Sequence, residues 1–355
     1  TTAGTLRIPP IQSGASSGDV MTYDGSKIVL STPSGGLTGV TDTVSPFNTF
    51  LGNLAGDSAT GSSINNVAIG NEALKATTTG DYNIALGYRS LWVNVSGTGS
   101  IAIGRLALSA NTVGENIAVG ARALYVNTTG ANNTAVGIEC MDDNTTGQNN
   151  TAVGHLALQK NDTASNNTAI GKEALERNVT GGNCTAVGYQ ALENSTATGN
   201  TALGYLAGDT TTSGANNTIL GASAAASSAT VSNEITLGNS SIATLRCQVT
   251  TITSLSDRRD KDNITDLSAG LDFVNKLRPV AFDWNMRDGG KVGQADTGFI
   301  AQDLQAAQEI TGIDIPDLVY AVNPEKLEAG YGKLIPVLVK AIQELSAEIE
   351  ALKSK

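Results

Sequence analysis

Aromatic residues are scarce in this chain: five Phe, two Trp and eight Tyr among 355 residues, or 4%. So small a supply of large apolar side chains cannot fill a thick globular core. Metal ligands are equally sparse. The single histidine, His155, and the three cysteines, Cys140, Cys184 and Cys247, are scattered and form no metal-ligand spacing, so neither metal nor cofactor is expected. His155 reads as a solvated side chain beside a glycine. Cation supply is short too: 22 Lys and Arg against 33 Asp and Glu give a net charge of −11, which argues against nucleic acid or an anionic membrane as partner. No apolar run reaches the length of a membrane span. The chain opens on Thr1 with neither methionine nor a signal-peptide pattern, as expected of a fragment or processed product.

What the chain has instead is Gly, Asn, Thr, Ala and Ser in a fixed rhythm. Asn-Thr-Ala-Val-Gly or a close variant returns twelve times, closing on Gly52, Gly70, Gly87, Gly104, Gly120, Gly137, Gly154, Gly171, Gly188, Gly204, Gly221 and Gly238. The intervals are 16 to 18 residues, most of them 17. Such regularity specifies a mainly β, parallel solenoid of about 17-residue repeats rather than a pocketed globule. Charge marks its end: residues 1–250 carry 10 basic and 16 acidic residues, the remaining 105 carry 12 and 17. The expected organisation is a hairpin and linker over 1–47, a repeat shaft over 48–247 and a separate domain over 248–355.

Within a unit such as Asn133–Asn149, Thr134, Ala135 and Val136 form a β-prone run ended by Gly137, suited to a positive φ or to close backbone approach. Alternation sets Thr134 and Val136 on one face and Ala135 on the other. Ala135, Ala152, Ala169, Ala186 and Ala202 then form a ladder, which we read as the place where chains approach one another around an axis. Glu173-Ala174-Leu175-Glu176-Arg177 consists largely of helix formers and predicts a turn-like or helical second half. Asn-Thr-Thr-Gly closes the coil, and Asn in register offers amide ladders. Twelve coils at about 4.8 Å give a shaft on the order of 60 Å. Cys184 takes an Asn slot and is expected to be buried. Sequons such as Asn127-Thr128-Thr129 are by-products of the repeat.

The last hundred residues carry different signals. Ser256-Asp257-Arg258-Arg259-Asp260-Lys261-Asp262-Asn263-Ile264 sets a serine and a lysine five residues apart, just after the β-rich Val249–Ile252. Leu277-Arg278-Pro279-Val280-Ala281-Phe282-Asp283-Trp284 and Gly298-Phe299-Ile300-Ala301-Gln302-Asp303-Leu304 follow. Ile335, Leu338, Ile342, Leu345, Ile349 and Leu352 then form a three-heptad stripe with Ile at a and Leu at d, a combination that favours two strands by the usual rule.

Together these blocks resemble the intramolecular chaperone domain of phage tail fibres and tailspikes, a self-releasing endopeptidase family. The repeat phrase is similar to head repeats of trimeric autotransporter adhesins and to repeats of phage fibres. The resemblance implies a homotrimer, a shaft followed by an α+β chaperone domain ending in a coiled-coil helix, and self-cleavage between Leu255 and Ser256. Ser256 is then the nucleophile and Lys261 the base, a plausible pairing because a hydroxyl needs a neighbouring base and a desolvated lysine can serve. It also implies a virion protein made in the host cytoplasm. Its partners are other tail proteins and a receptor on the host surface, a glycan or an outer-surface protein. Two alternatives are a polysaccharide-degrading tailspike and a bacterial adhesin. The first requires paired carboxylates, and Asp142-Asp143 is the one adjacent acidic pair in the repeats. The second should end in a membrane anchor, unlike this charged helical end.

Overall fold

The computed structural model describes residues 48–59, 62–242, 244–246, 256–287 and 292–355, together with the backbone of two strands, 20–23 and 28–31. Those strands, β1 (Val20–Tyr23) and β2 (Ile28–Ser31), form an antiparallel pair; the rest of the N-terminal segment read as hairpin and linker lies outside the described residues. So do Cys247, Val249–Ile252 and Leu255. The chain divides into two compact units, Thr1–Leu237 and Gly238–Lys355.

The first unit is a parallel β-solenoid. Twelve three-residue strands, from β3 (Thr49–Leu51) to β14 (Ile235–Leu237), pair in strict sequence order. The phrase stays in register, with Thr134 opposite Thr151, Ala135 opposite Ala152 and Val136 opposite Val153. The alanine ladder corrects the sequence reading. Ala135, Ala152, Ala169, Ala186 and Ala202 are fully buried within one chain, so their column lines the coil's own interior and is not a contact between chains. Leu158, Leu175 and Leu192, from the second half of successive coils, are buried with them in one core.

That second half contains no helix. Ala174 N–H bonds to Gly171 O and Glu176 N–H to Glu173 O, both at 3.3 Å, with Glu173 (φ 61°) and Leu175 (φ 51°) third in each turn. Positive φ at the third residue is the mark of type II turns, normally met by glycine. Leu accepts it here because the bend drives its side chain into the core. The same backbone also bonds to both neighbouring coils, Glu173 N–H to His155 O (2.9 Å) and Leu175 N–H to Ala191 O (3.0 Å). Packing and inter-coil bonding override helix propensity.

Two asparagine columns complete the stack. Asn133 accepts from the N–H of Asn150 (3.0 Å) and donates to Gly147 O (2.8 Å), tying each strand entry to the next coil. Asn111, Asn127, Asn144 and Asn161 form a buried amide ladder with Nδ2 to Oδ1 distances of 2.8, 2.7 and 2.6 Å. Asn127 is fully buried, so its sequon is inaccessible in the folded coil. Cys184 is buried with its thiol 3.2 Å from Ala197 O, and His155 is exposed.

The second unit is α+β. It comprises α1 (Leu271–Val274), the antiparallel pair β15 (Val280–Asn285) and β16 (Val292–Gly298), α2 (Ala301–Thr311), a two-residue pair β17 (Val319–Tyr320) and β18 (Glu328–Ala329), and the 20-residue α3 (Leu334–Lys353). Its core joins Ala269, Phe273, Leu304, Ala307, Leu318, Leu334 and Val337. Glu344 of α3 accepts from the N–H of Leu271 at 2.7 Å, fixing α1 to α3.

Candidate functional site

The segment from Ser256 to Lys261 is shaped by a single capped turn. Asp257 stands in extended conformation at the N-cap of a 3-10 turn, Arg258–Asp260, and its carboxylate accepts from Arg259 N–H at 2.8 Å. Asp and Asn suit this position because a short side-chain acceptor satisfies a free N–H at the start of the turn. The Arg259 side chain closes on the same carboxylate, with Nη2 2.6 Å from Oδ2. This guanidinium, followed by the backbone N–H, holds the Asp257 carboxyl below the usual carboxylate range. Lys261 N–H bonds to Arg258 O at 3.2 Å and ends the turn in extended conformation.

Ser256 just before the turn and Lys261 just after it therefore meet across its open side. Lys261 Nζ donates to Ser256 Oγ at 2.6 Å, and both residues are exposed in the single chain. An amine that is to remove the hydroxyl proton must be neutral and accept from it, the reverse of this polarity. Leu255, on the other side of the expected scissile bond, lies outside the described residues. Asp257 did not figure among the expected site residues, although an Asp immediately after the serine and before a short polar turn is a readable cap signal.

The remaining motif blocks build the body of the second unit. The segment 277–284 supplies β15, where Phe282 and Trp284 meet edge to face at 5.2 Å. The segment 298–304 closes β16 and opens α2, and Arg278 and Asp303 join the two blocks at 3.6 Å. Tyr331 Oη accepts from Phe299 N–H at 3.1 Å and donates to Phe299 O at 2.9 Å. On α3, Leu334, Val337 and Ala341 are buried against the unit. The heptad stripe lies on the adjoining face, with Ile335 64%, Ile342 65% and Leu352 69% exposed.

Residues 256–320 match the family model described as chaperone of endosialidase, beginning at Ser256 and ending before α3. The second unit carries a chaperone-of-endosialidase domain. A β-solenoid followed by this self-cleaving type of chaperone is typical of phage tail fibre and tailspike proteins, and the domain implies homotrimer assembly. No curated protein and no solved structure matches the chain. Among the described residues, no helix is long and apolar enough to cross a membrane.

Proposed function

We propose that this chain is the shaft of a phage tail fibre that serves host attachment, built as a trimer by its chaperone-of-endosialidase domain, which then releases itself by cutting before Ser256. The observation that carries the reading is the approach of Lys261 Nζ to Ser256 Oγ, 2.6 Å across a turn at which the family match begins. In the proposed step, neutral Lys261 takes the proton from Ser256 Oγ. The oxygen attacks the carbonyl carbon of Leu255, the Leu255–Ser256 amide bond breaks, and Lys261 returns the proton to the departing α-amine of Ser256. The product is an ester between Leu255 and the Ser256 side chain. Water hydrolyses it to a Leu255 carboxylate and a free hydroxyl, completing a single turnover.

The fibre reading is preferred to a depolymerising tailspike because of the state of Asp142 and Asp143. Arg122 binds both carboxylate oxygens of Asp142, through Nε at 3.1 Å and Nη2 at 2.6 Å. Burial raises the Asp142 carboxyl above its usual range while Arg122 pulls it down. Asp143 is paired with Lys160 at 2.8 Å. Both carboxylates are thus held by cations of neighbouring coils rather than directed together at a sugar.

The test is the intact mass and native oligomer size of the chain beside its Ser256→Ala variant. Wild type is expected to yield a trimeric fragment ending at Leu255 and the variant to stay full length. An intact wild-type chain, or a variant that still cuts there, would refute the self-cleavage assignment.

A further inference from the structure

We infer that the outward face of the solenoid sheet is the surface along which the shafts of a trimer pack, each chain covered by a second copy in parallel register. The inference rests on the trimeric reading above and goes beyond it by naming the face. Each strand turns its middle residue into the coil and its first and third residues out. The third position is Val, Ile or Leu in all twelve strands, and neither outward position is charged in any of them. Residues 1–250 carry 26 charged side chains (10 and 16), about one in ten, so a solvated face of 24 positions would carry two or three. In the single chain half of this column is exposed, Ile69, Ile103, Val153, Ile170, Leu203 and Leu237 at 37 to 52%, and the other half is half-buried.

The dimensions suit another copy. Twelve rungs at about 4.8 Å, each roughly 10 Å wide, make a strip on the order of 500 Å². That is at the upper end of what a monomer leaves bare, and more than half of what a standard interface takes from each partner. The pitch suits one partner above others. A second solenoid of the same sequence presents the same aliphatic row at the same spacing, so each branched side chain meets its equivalent rung for rung. A partner without that pitch meets the row at a few points only. The exposed stripe on α3 offers the same occupant a separate contact in the second unit.

The experiment uses the full chain in three forms, all carrying Cys247→Ser so that no native thiol outside the buried Cys140 and Cys184 reports: otherwise wild type, Val153→Lys with Ile170→Lys, and Val153→Cys. Native mass and far-UV circular dichroism are recorded for each, and maleimide labelling and short bismaleimide cross-linking for the third. The lysine pair is expected to keep the coil signal, because both side chains leave the core, and to raise the concentration needed for trimer at least about tenfold, since it buries charge at the interface. The introduced thiol is expected to be protected from maleimide in the native trimer and to give cross-linked dimers and trimers. A lysine variant that assembles like wild type, or a thiol that labels at the free-thiol rate in a wild-type-sized trimer, overturns this face and leaves the trimer standing on α3. A monomeric wild type overturns both. Should the lysine variant lose the coil signal, thiol protection alone decides.

Discussion

Substituting Gly137 by Ala tests the solenoid's tightest contact. Gly137 has a φ of +149°, and an added Cβ would stand 2.2 Å from the carbonyl oxygen of Gly154 and 2.5 Å from its carbon. Both are backbone atoms and cannot rotate away. Ordinary contact begins near 3.4 Å, so the two coils must separate by about 1 Å against a strand spacing of about 4.8 Å. Separation weakens the bonds that cross there, Gly154 N–H to Val136 O at 2.8 Å and Thr134 N–H to Asn150 O at 2.9 Å. Two such bonds contribute about 2 kcal/mol, and alanine in this backbone region costs a further ~1–3 kcal/mol. The expected loss is therefore about 3–5 kcal/mol, against 0.5 kcal/mol or less, roughly, for Gln148→Ala at an exposed position. Denaturant titration at fixed chain concentration measures it. Hydrogen exchange should show the defect confined to the coils around 137 and 154, because each coil touches only its neighbours. A Gly137→Ala chain within about 1 kcal/mol of wild type, with unchanged exchange, would refute the claim that the glycine columns set the coil spacing.

Two further outcomes are expected. Burial pushes the Cys140 thiol up to about 12 from an ordinary 9.0, so the folded chain keeps this proton where the unfolded chain loses it. Stability from this group is complete below about pH 9 and is lost as pH rises toward 12, by about 1 kcal/mol per pH unit. Cys140→Ala should flatten that alkaline fall relative to wild type, since alanine fills the same slot at Ala123, Ala157 and Ala174; an unchanged slope would contradict it. At the turn, Asp257→Ala should slow self-cleavage several-fold by uncapping the segment between Ser256 and Lys261, and Asp257→Asn should retain most of the rate, because Asn caps as well as Asp. Equal rates for Ala and Asn would deny the cap a positioning role.

The repeat was legible because every coil must solve the same backbone problem at the same place. A glycine that meets the next glycine's carbonyl, as Gly137 meets Gly154, leaves no freedom in spacing or residue type. Alternation also showed that Ala135 opposes Thr134 and Val136. It could not show which face lies inside, because alanine suits a tight core and a tight interface equally. The missing fact was the path of the second half, which brings Leu175 into the coil through a left-handed φ of 51°. Local preference there favours helix formers, and only the hydrogen bonds to both neighbouring coils determine the turns. In the second unit the stripe on α3 was readable from spacing. The approach of Ser256 and Lys261 depends on a cap that their spacing alone does not reveal.

On the proposed packing, the two exposed apolar surfaces would divide the labour of assembly. The outward row of the solenoid repeats almost identically from rung to rung, so two shafts displaced by one coil, about 4.8 Å, still match at all but one rung. Such a face can hold chains together along its length but discriminates poorly among registers. The C-terminal unit occurs once per chain and has no internal repeat into which it can slip. If its α3 stripes associate first, they set the register before the rows meet, and the rows then need no chaperone to stay aligned. On the proposed order, cleavage before Ser256 would remove a part whose work is finished, and the same cut made before assembly would leave the shafts without a register.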